Sequence, residues 1–365
     1  MRAFYGRRML AALLAPALLL SAAASWAEER PSFRIAWTVY AGNMPLGYAQ
    51  DSGILAEWGD RYGMDLKAVQ LTDYVEAQNQ YTGGAFDAVV AITLDALTIP
   101  AAAGVDSSAV VMMNGSLGSD GMVMKGKGKT VKDLEGERIN LVAFSGSHYM
   151  LSRALDMHGM SERDVEVVNT SDADIATAFQ TREVEAVATW KPHLDNILAQ
   201  NPNTSLIFDS SKIPDEITDV ILVRTETLDQ HPELGYALAG AWFEVVDMLE
   251  PGHPKRQEVM AHIADAAGTD LEGFEKQLST VVLYERDEAI KLVESDAFRE
   301  SLDEMSNFAF EKGLMGDSAP GPDFIGMEFE NGEVLGNRNN VKLRFPSRYM
   351  QSAKDVPAGK PGKEE

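Results

Sequence analysis

FRIAWTVYAGNMPLGYAQDSGILAEWG, from Phe33 to Gly59, reads as a strand, a short aromatic loop and a helix start. Phe33, Ile35 and Trp37 alternate as strand residues do, and Ala36 and Val39 are also apolar. The strand is therefore expected to be buried on both faces. Tyr40, Gly42 and Asn43 carry the turn, and Pro45 stands in the first helical turn, where a missing N–H is tolerated. The segment delivers aromatic and amide side chains to the C-terminal edge of a sheet, where open α/β folds commonly hold ligands.

Upstream lies the pattern of an export signal. Arg2, Arg7 and Arg8 precede the apolar run Met9 to Leu20, and Ser25-Trp26-Ala27 supplies small residues at −3 and −1 of a cut. The run is too short for a permanent span. A cut near Ala27 and a periplasmic location are expected, and Arg7-Arg8 leaves the twin-arginine route open beside the general one. The chain has no cysteine. That excludes disulfides, thiolate metal sites, cysteine nucleophiles and a lipoprotein anchor.

The formal charge is −24, and losing Arg2, Arg7 and Arg8 takes it to −27. Nucleic acid and anionic membranes both need a basic face, so neither is expected as a partner. Strong acidity permits a cationic ligand and also serves solubility. The length after the cut suits about two domains.

Short β-rich runs alternate with helical patterns, which predicts βα units and a largely parallel sheet. Strands are expected at Phe33–Val39, Asp65–Leu71, Ala88–Ile92, Ala109–Asn114, Gly121–Lys125, Arg138–Val142, Val165–Asn169, Ala186–Thr189, Ser205–Asp209 and Val220–Arg224. From Pro232 to Lys312 the pattern turns mostly helical, including a helix over Leu271–Val281. The order suggests residues 28–120 as a first lobe, 121–220 as a second, and 221–350 as a return to the first. Crossings are expected near 115–130 and at Thr218–Arg224. GKGK at 126–129 does not spell a phosphate loop, because no Gly-Lys-Ser/Thr opens a helix, and it reads as a solvated turn. Residues 351–365, rich in Pro, Gly and charge, are expected to be a disordered tail.

Several strand ends carry groups suited to binding. Trp37 and Tyr40 sit in the opening loop. Asp73 follows a strand, where it can cap the next helix and also face a cleft. Thr93 and Asp95 stand at another strand end. Ser147 lies in Phe144-Ser145-Gly146-Ser147-His148, a helix start whose free N–H groups suit a polar or anionic group. Trp190 ends a strand before Pro192, and Asp219 lies at the return crossing. An aromatic face beside a carboxylate suits a small cation. Catalysis finds less support. The six histidines form no H-E-x-x-H, no Gly-x-Ser-x-Gly elbow is present, and no GxGxxG follows a strand. No metal, cofactor or enzymatic activity is expected.

The opening strand-loop-helix with Gly53-Ile54-Leu55 is one of several familiar segments. Others are Gly83-Gly84-Ala85-Phe86-Asp87-Ala88, Thr130 to Ile139, the serine-rich start Ser145–Tyr149, and Val184 to Pro192. In order and spacing they resemble the periplasmic substrate-binding proteins of ABC importers for nitrate, sulfonates and taurine, a group that includes thiamin-precursor binders. The resemblance covers residues 31–315. It implies two α/β lobes hinged around a ligand cleft, a small-molecule solute, an inner-membrane permease as partner, and a monomer.

Two departures bear on the ligand. Lys191 replaces an acidic residue frequent between Trp and Pro in such relatives. Asp73, Asp95 and Asp219 would repel an anion. The extended end from Gly326 to Phe345 looks like the subgroup linked with urea carboxylase, which implies a guanidine-, urea- or amidine-type solute. The alternatives are a sulfonate, taurine or nitrate binder of the same family, an exported enzyme on the same fold, or a sensor subunit.

Overall fold

A computed structural model of the chain describes residues 30–352. The expected signal segment and residues 353–365 of the expected tail lie outside that range. Among the described residues no helix is long and apolar enough to cross a membrane.

Among the described residues fourteen strands form two sheets. They are β1 (Ser32–Thr38), β2 (Asp65–Leu71), β3 (Ala88–Ile92), β4 (Ser107–Ser116), β5 (Asp120–Lys125), β6 (Arg138–Leu141) and β7 (Glu166–Asn169). Next come β8 (Ala186–Trp190), β9 (Thr204–Asp209), β10 (Thr218–Arg224), β11 (Val281–Leu283), β12 (Gly326–Phe329), β13 (Val334–Leu335) and β14 (Val341–Phe345). The ten strands expected from periodicity are all present, each to within two residues at either end. The first sheet runs β13-β12-β14-β4-β10-β3-β1-β2, with β11 added beside β4. The second runs β7-β6-β8-β5-β9. Helices flank both, which is the two-lobed α/β architecture anticipated.

Pairing is parallel where helices make the crossovers, as in β2-β1-β3 and β7-β6-β8. It turns antiparallel at β10 and β5. These are the strands by which the chain passes directly between the sheets, so no helix reverses its direction first. The apolar strands β3 and β4 are buried along their whole length, as interior strands covered on both faces must be.

Two differences concern the C-terminal part. The helix expected over Leu271–Val281 stops at Leu278, and Val281–Leu283 pairs with β4. Val281-Val282-Leu283 is β-branched and aliphatic, and edge pairing wins over continuation of the helix. The extended end adds β12, β13 and β14 to the first sheet, with Phe329 stacked on Phe345 at 5.5 Å. The helix Arg348–Ser352 takes in the first two residues of the segment expected as a tail. The long apolar helix Glu233–Leu249, with Trp242 and Phe243 fully buried, packs against β4 and the helices Met44–Asp51 and Ile54–Arg61.

A candidate solute cleft between the two sheets

The C-terminal ends of the parallel strands of both sheets point at one cleft, where orphan backbone groups and loop side chains converge. From the first lobe come Thr38, Tyr40 and Asn43 after β1, Tyr74 after β2, and Ile92 and Asp95 at the end of β3. From the second come Ser145, Gly146 and Ser147 after β6, and Trp190 at the end of β8. The two crossings contribute Asp120, which opens β5, Ile217 just before β10, and Asp219 near its start. The space they leave is about 40 Å³. At roughly 10–15 Å³ per water, that fits about three water-sized bodies.

The carboxylates dominate its chemistry. Asp95, Asp120 and Asp219 are all buried, and no lysine, arginine or histidine is among the lining residues. Asp219 Oδ1 accepts from Asn43 Nδ2 at 3.4 Å, and Asn114 Nδ2 donates to Asn43 Oδ1 at 3.1 Å. Asp120 accepts from Ser116 Oγ at 2.5 Å. Among the described residues neither oxygen of Asp95 has a partner within hydrogen-bond distance, and the same holds for the Tyr40 hydroxyl and Ser147 Oγ. Buried polar groups are ordinarily paired, and these atoms are where the cleft can offer hydrogen bonds.

Burial pushes the Asp219 carboxyl up to about 8, with the Asp120 charge adding, the Asn43 hydrogen bond opposing and Asp95 adding again. Burial likewise raises Asp95 to about 7 against the opposing effect of Tyr74. It raises Asp120 to about 6 against Ser116. Burial and the neighbouring aspartates lift the Tyr40 and Tyr74 phenols well above their ordinary value, so both stay protonated. These shifts have one cause: negative charge is held away from water with no positive partner.

The second lobe offers a different wall. Ser145 caps the helix Gly146–Met157 by accepting from Ser147 N at 3.2 Å. Phe144 just before it adopts φ +66°, in the left-handed region, and His148 Nδ1 accepts from its N–H at 2.9 Å. Trp190 meets Tyr74 of the other lobe edge-on at 5.8 Å.

The lobes are drawn together around this space. A Cβ at Gly146 would lie 2.8 Å from Ile92 Cδ1, so a larger residue there would have to displace the tip of that side chain. Ser171 Oγ donates to Asp73 at 2.9 Å, Lys191 Nζ to Thr280 Oγ1 at 3.1 Å, and Lys312 pairs with Glu162 at 2.7 Å.

Of the residues singled out from sequence, Tyr40, Asp95, Ser147, Trp190 and Asp219 line the cleft. Trp37, Asp73 and Thr93 do not. Side chains alternate along β1, so Thr38 turns to the cleft and Trp37 turns away. The Trp37 indole lies beside Gly47, where a Cβ would approach it to 2.7 Å. Asp73 caps the helix Tyr74–Thr82 by accepting from Glu76 N at 2.7 Å, and its other oxygen takes the bond from Ser171. The Thr93 hydroxyl points to Met305 Sδ at 3.5 Å. Among the acids that line the cleft, Asp120 is the one that sequence reasoning missed, and the Tyr74 ring was not singled out either. Asp120 stands in GSLGSDGM, part of the expected crossing near 115–130, and an acid at a lobe crossing was the available signal.

Comparison with known proteins agrees with this architecture. The sequence model of a family described as NMT1/THI5 like matches residues 63–242. The taurine-binding periplasmic protein of Escherichia coli (strain K12) is 29% identical over 146 residues, which are 39% of this chain and 44% of that protein. This chain thus spans less than half the length of that relative. The alkanesulfonate-binding protein of Xanthomonas axonopodis pv. citri, solved with MOPS bound, superposes with a TM-score of 0.65 at 18% identity. It covers 78% of this chain and 94% of its own. The periplasmic nitrate-binding protein of Synechocystis PCC 6803 gives 0.65 at 12% identity, covering 90% of each chain. The fold is that of the periplasmic binding proteins.

Proposed function

We propose that this chain is the solute-binding protein of an ABC importer, closing its lobes on a small nitrogen-rich solute of the guanidine, urea or amidine type. The observation that carries the ligand class is the trio Asp95, Asp120 and Asp219, buried with no basic side chain among the lining residues. A flat ligand rich in N–H groups satisfies those oxygens, while Tyr40, Tyr74 and Trp190 offer aromatic surface to its face. The small space favours a compact solute over a long one. Closed and loaded, the protein would act in the periplasm as a monomer and dock on an inner-membrane permease. Relatives that are binding proteins support capture over turnover.

The names of those relatives favour a second reading, a sulfonate, taurine or nitrate ligand, over guanidine or urea. Its structural support is the helix N-terminus at Gly146–Ser147, whose N–H groups suit an oxyanion. Under that reading the carboxyls must be protonated to accept the guest.

A thermal-shift screen of guanidinium, urea, acetamidine, taurine, ethanesulfonate and nitrate separates the two. A ligand at a hundred times its Kd adds about 2.7 kcal/mol of stability. Stabilisation by guanidinium or amidines supports the first reading, and stabilisation by the oxyanions alone rejects it.

A further inference from the structure

We propose that the cleft takes its ligand by exchanging protons for a cation, with Asp120 and Asp219, on the two strands that cross between the lobes, as the exchanging pair. This rests on the nitrogenous-ligand reading and sharpens it: the solute is positively charged when held, and the empty cleft is neutral.

β4 ends at Ser116 and β5 begins at Asp120, so Asp120 lies at the outward crossing. Asp219 is the second residue of β10, at the return crossing, and registers with Asn114 of β4 and Ile92 of β3. The Asp120 charge adds to the burial of Asp219, and Asp95, in the helical turn just after β3, adds to it again. Burying one ionised carboxylate is costly, and ionising several within one dry cleft is more so. Neutral carboxyls are the state an empty cleft favours.

No other group nearby relieves that constraint. On the first lobe, Tyr40, Tyr74 and Tyr284 carry phenols lifted by burial and remain neutral. Across from them on the second lobe, Asp172 accepts from Tyr74 N at 3.4 Å and is itself raised by burial. On the second lobe, Lys191 is tied to Asp195 at 3.8 Å and to Thr280. His193, beside Trp190 at 6.1 Å, is pushed down by burial. His148 turns its Nε2 to Glu162 at 3.2 Å. The positive charge that lets these acids ionise must come from the ligand. When it arrives, an O–H bond of a carboxyl breaks, the proton leaves to solvent buffer, and the carboxylate pairs with the cation. Because both acids sit where the lobes are joined, the exchange happens at the strands any hinge motion must bend.

The test is isothermal titration calorimetry of the full chain with guanidinium chloride, in phosphate and in Tris, between pH 5.5 and 9.5. The expected result is release of about one proton per ligand near pH 7, fading to none at pH 9.5. Kd should tighten up to about tenfold per pH unit between pH 6 and 8. Asp219→Asn should reduce the proton count at neutral pH, and the wild-type titration stands even if that variant folds poorly. Guanidinium binding without buffer dependence, or urea binding as tightly as guanidinium, overturns the exchange but leaves a nitrogenous solute. No guanidinium binding, with taurine or ethanesulfonate bound and protons taken up, overturns both.

Discussion

The two walls of the cleft are built from the same kind of element and do opposite things. The first lobe presents Asp95 and Asp219 with two tyrosines, and its polar atoms seek positive charge. The second presents a capped helix start and an indole, Ser145 to Ser147 and Trp190, and carries no acid of its own apart from Asp120 at the crossing. Under the proposed reading, most of the charge selection falls to the first wall and to Asp120 at the crossing, and closure to the second. Separating the two lets a ligand dock on the acidic wall before the second lobe arrives.

The largest expected effect is on Asp219. Asp219→Asn removes the carboxyl raised furthest in the cleft, and the stabilisation of about 2.7 kcal/mol at a hundred times the wild-type Kd should shrink to a small remainder. The empty protein should respond in the opposite sense. Folded Asp95, Asp120 and Asp219 hold their protons to about 7, 6 and 8, whereas an unfolded aspartate loses its proton near 3.8. Their stabilising contribution is complete below that value and is lost as pH rises through 6 to 8. The wild-type melting temperature should therefore fall from pH 5 to pH 8 without ligand. In Asp219→Asn that decline should flatten, so the variant melts higher than wild type at pH 8. A parallel decline in both proteins would break the contrast.

Gly146→Leu tests the closing wall alone. The new side chain meets Ile92 and should hold the lobes apart, weakening binding by about 1–3 kcal/mol, the usual penalty of overpacking. Small-angle scattering should show a more open particle with ligand present. An unchanged affinity would show that the walls do not meet when the ligand is held.

Trp190→Ala comes next. It strips the aromatic partner of Tyr74 and should cost about 0.5–2 kcal/mol of cation affinity, read by calorimetry. The smallest effect belongs to Asp73→Ala, which loses a helix cap and a bond between the lobes. About 1 kcal/mol of stability should go, with ligand selectivity unmoved. A change of selectivity there would return Asp73 to the cleft.

How much of this was legible follows from how local each signal is. Strand positions were, because an apolar run such as Ala88–Ile92 between turn residues has little else to become. Asp95, Trp190 and Asp219 were legible as polar or aromatic groups at strand ends. Trp37 was not, because its direction depends on Gly47 of the next helix leaving room for an indole. Thr93 turned on a sulfur more than two hundred residues away. Asp120 was hidden by its glycine neighbours, since only the crossing between sheets gives that acid its burial. The strands after Gly326 were missed because their apolar residues find a partner only at the far edge of β4.

The central claim is that the cleft selects positive charge, and a thermal-shift comparison of guanidinium with taurine at pH 6 and pH 8.5 tests it directly. The account predicts stabilisation by guanidinium, larger at pH 8.5 than at pH 6, and none by taurine. Stabilisation by taurine that grows toward pH 6, with guanidinium inert, would contradict it.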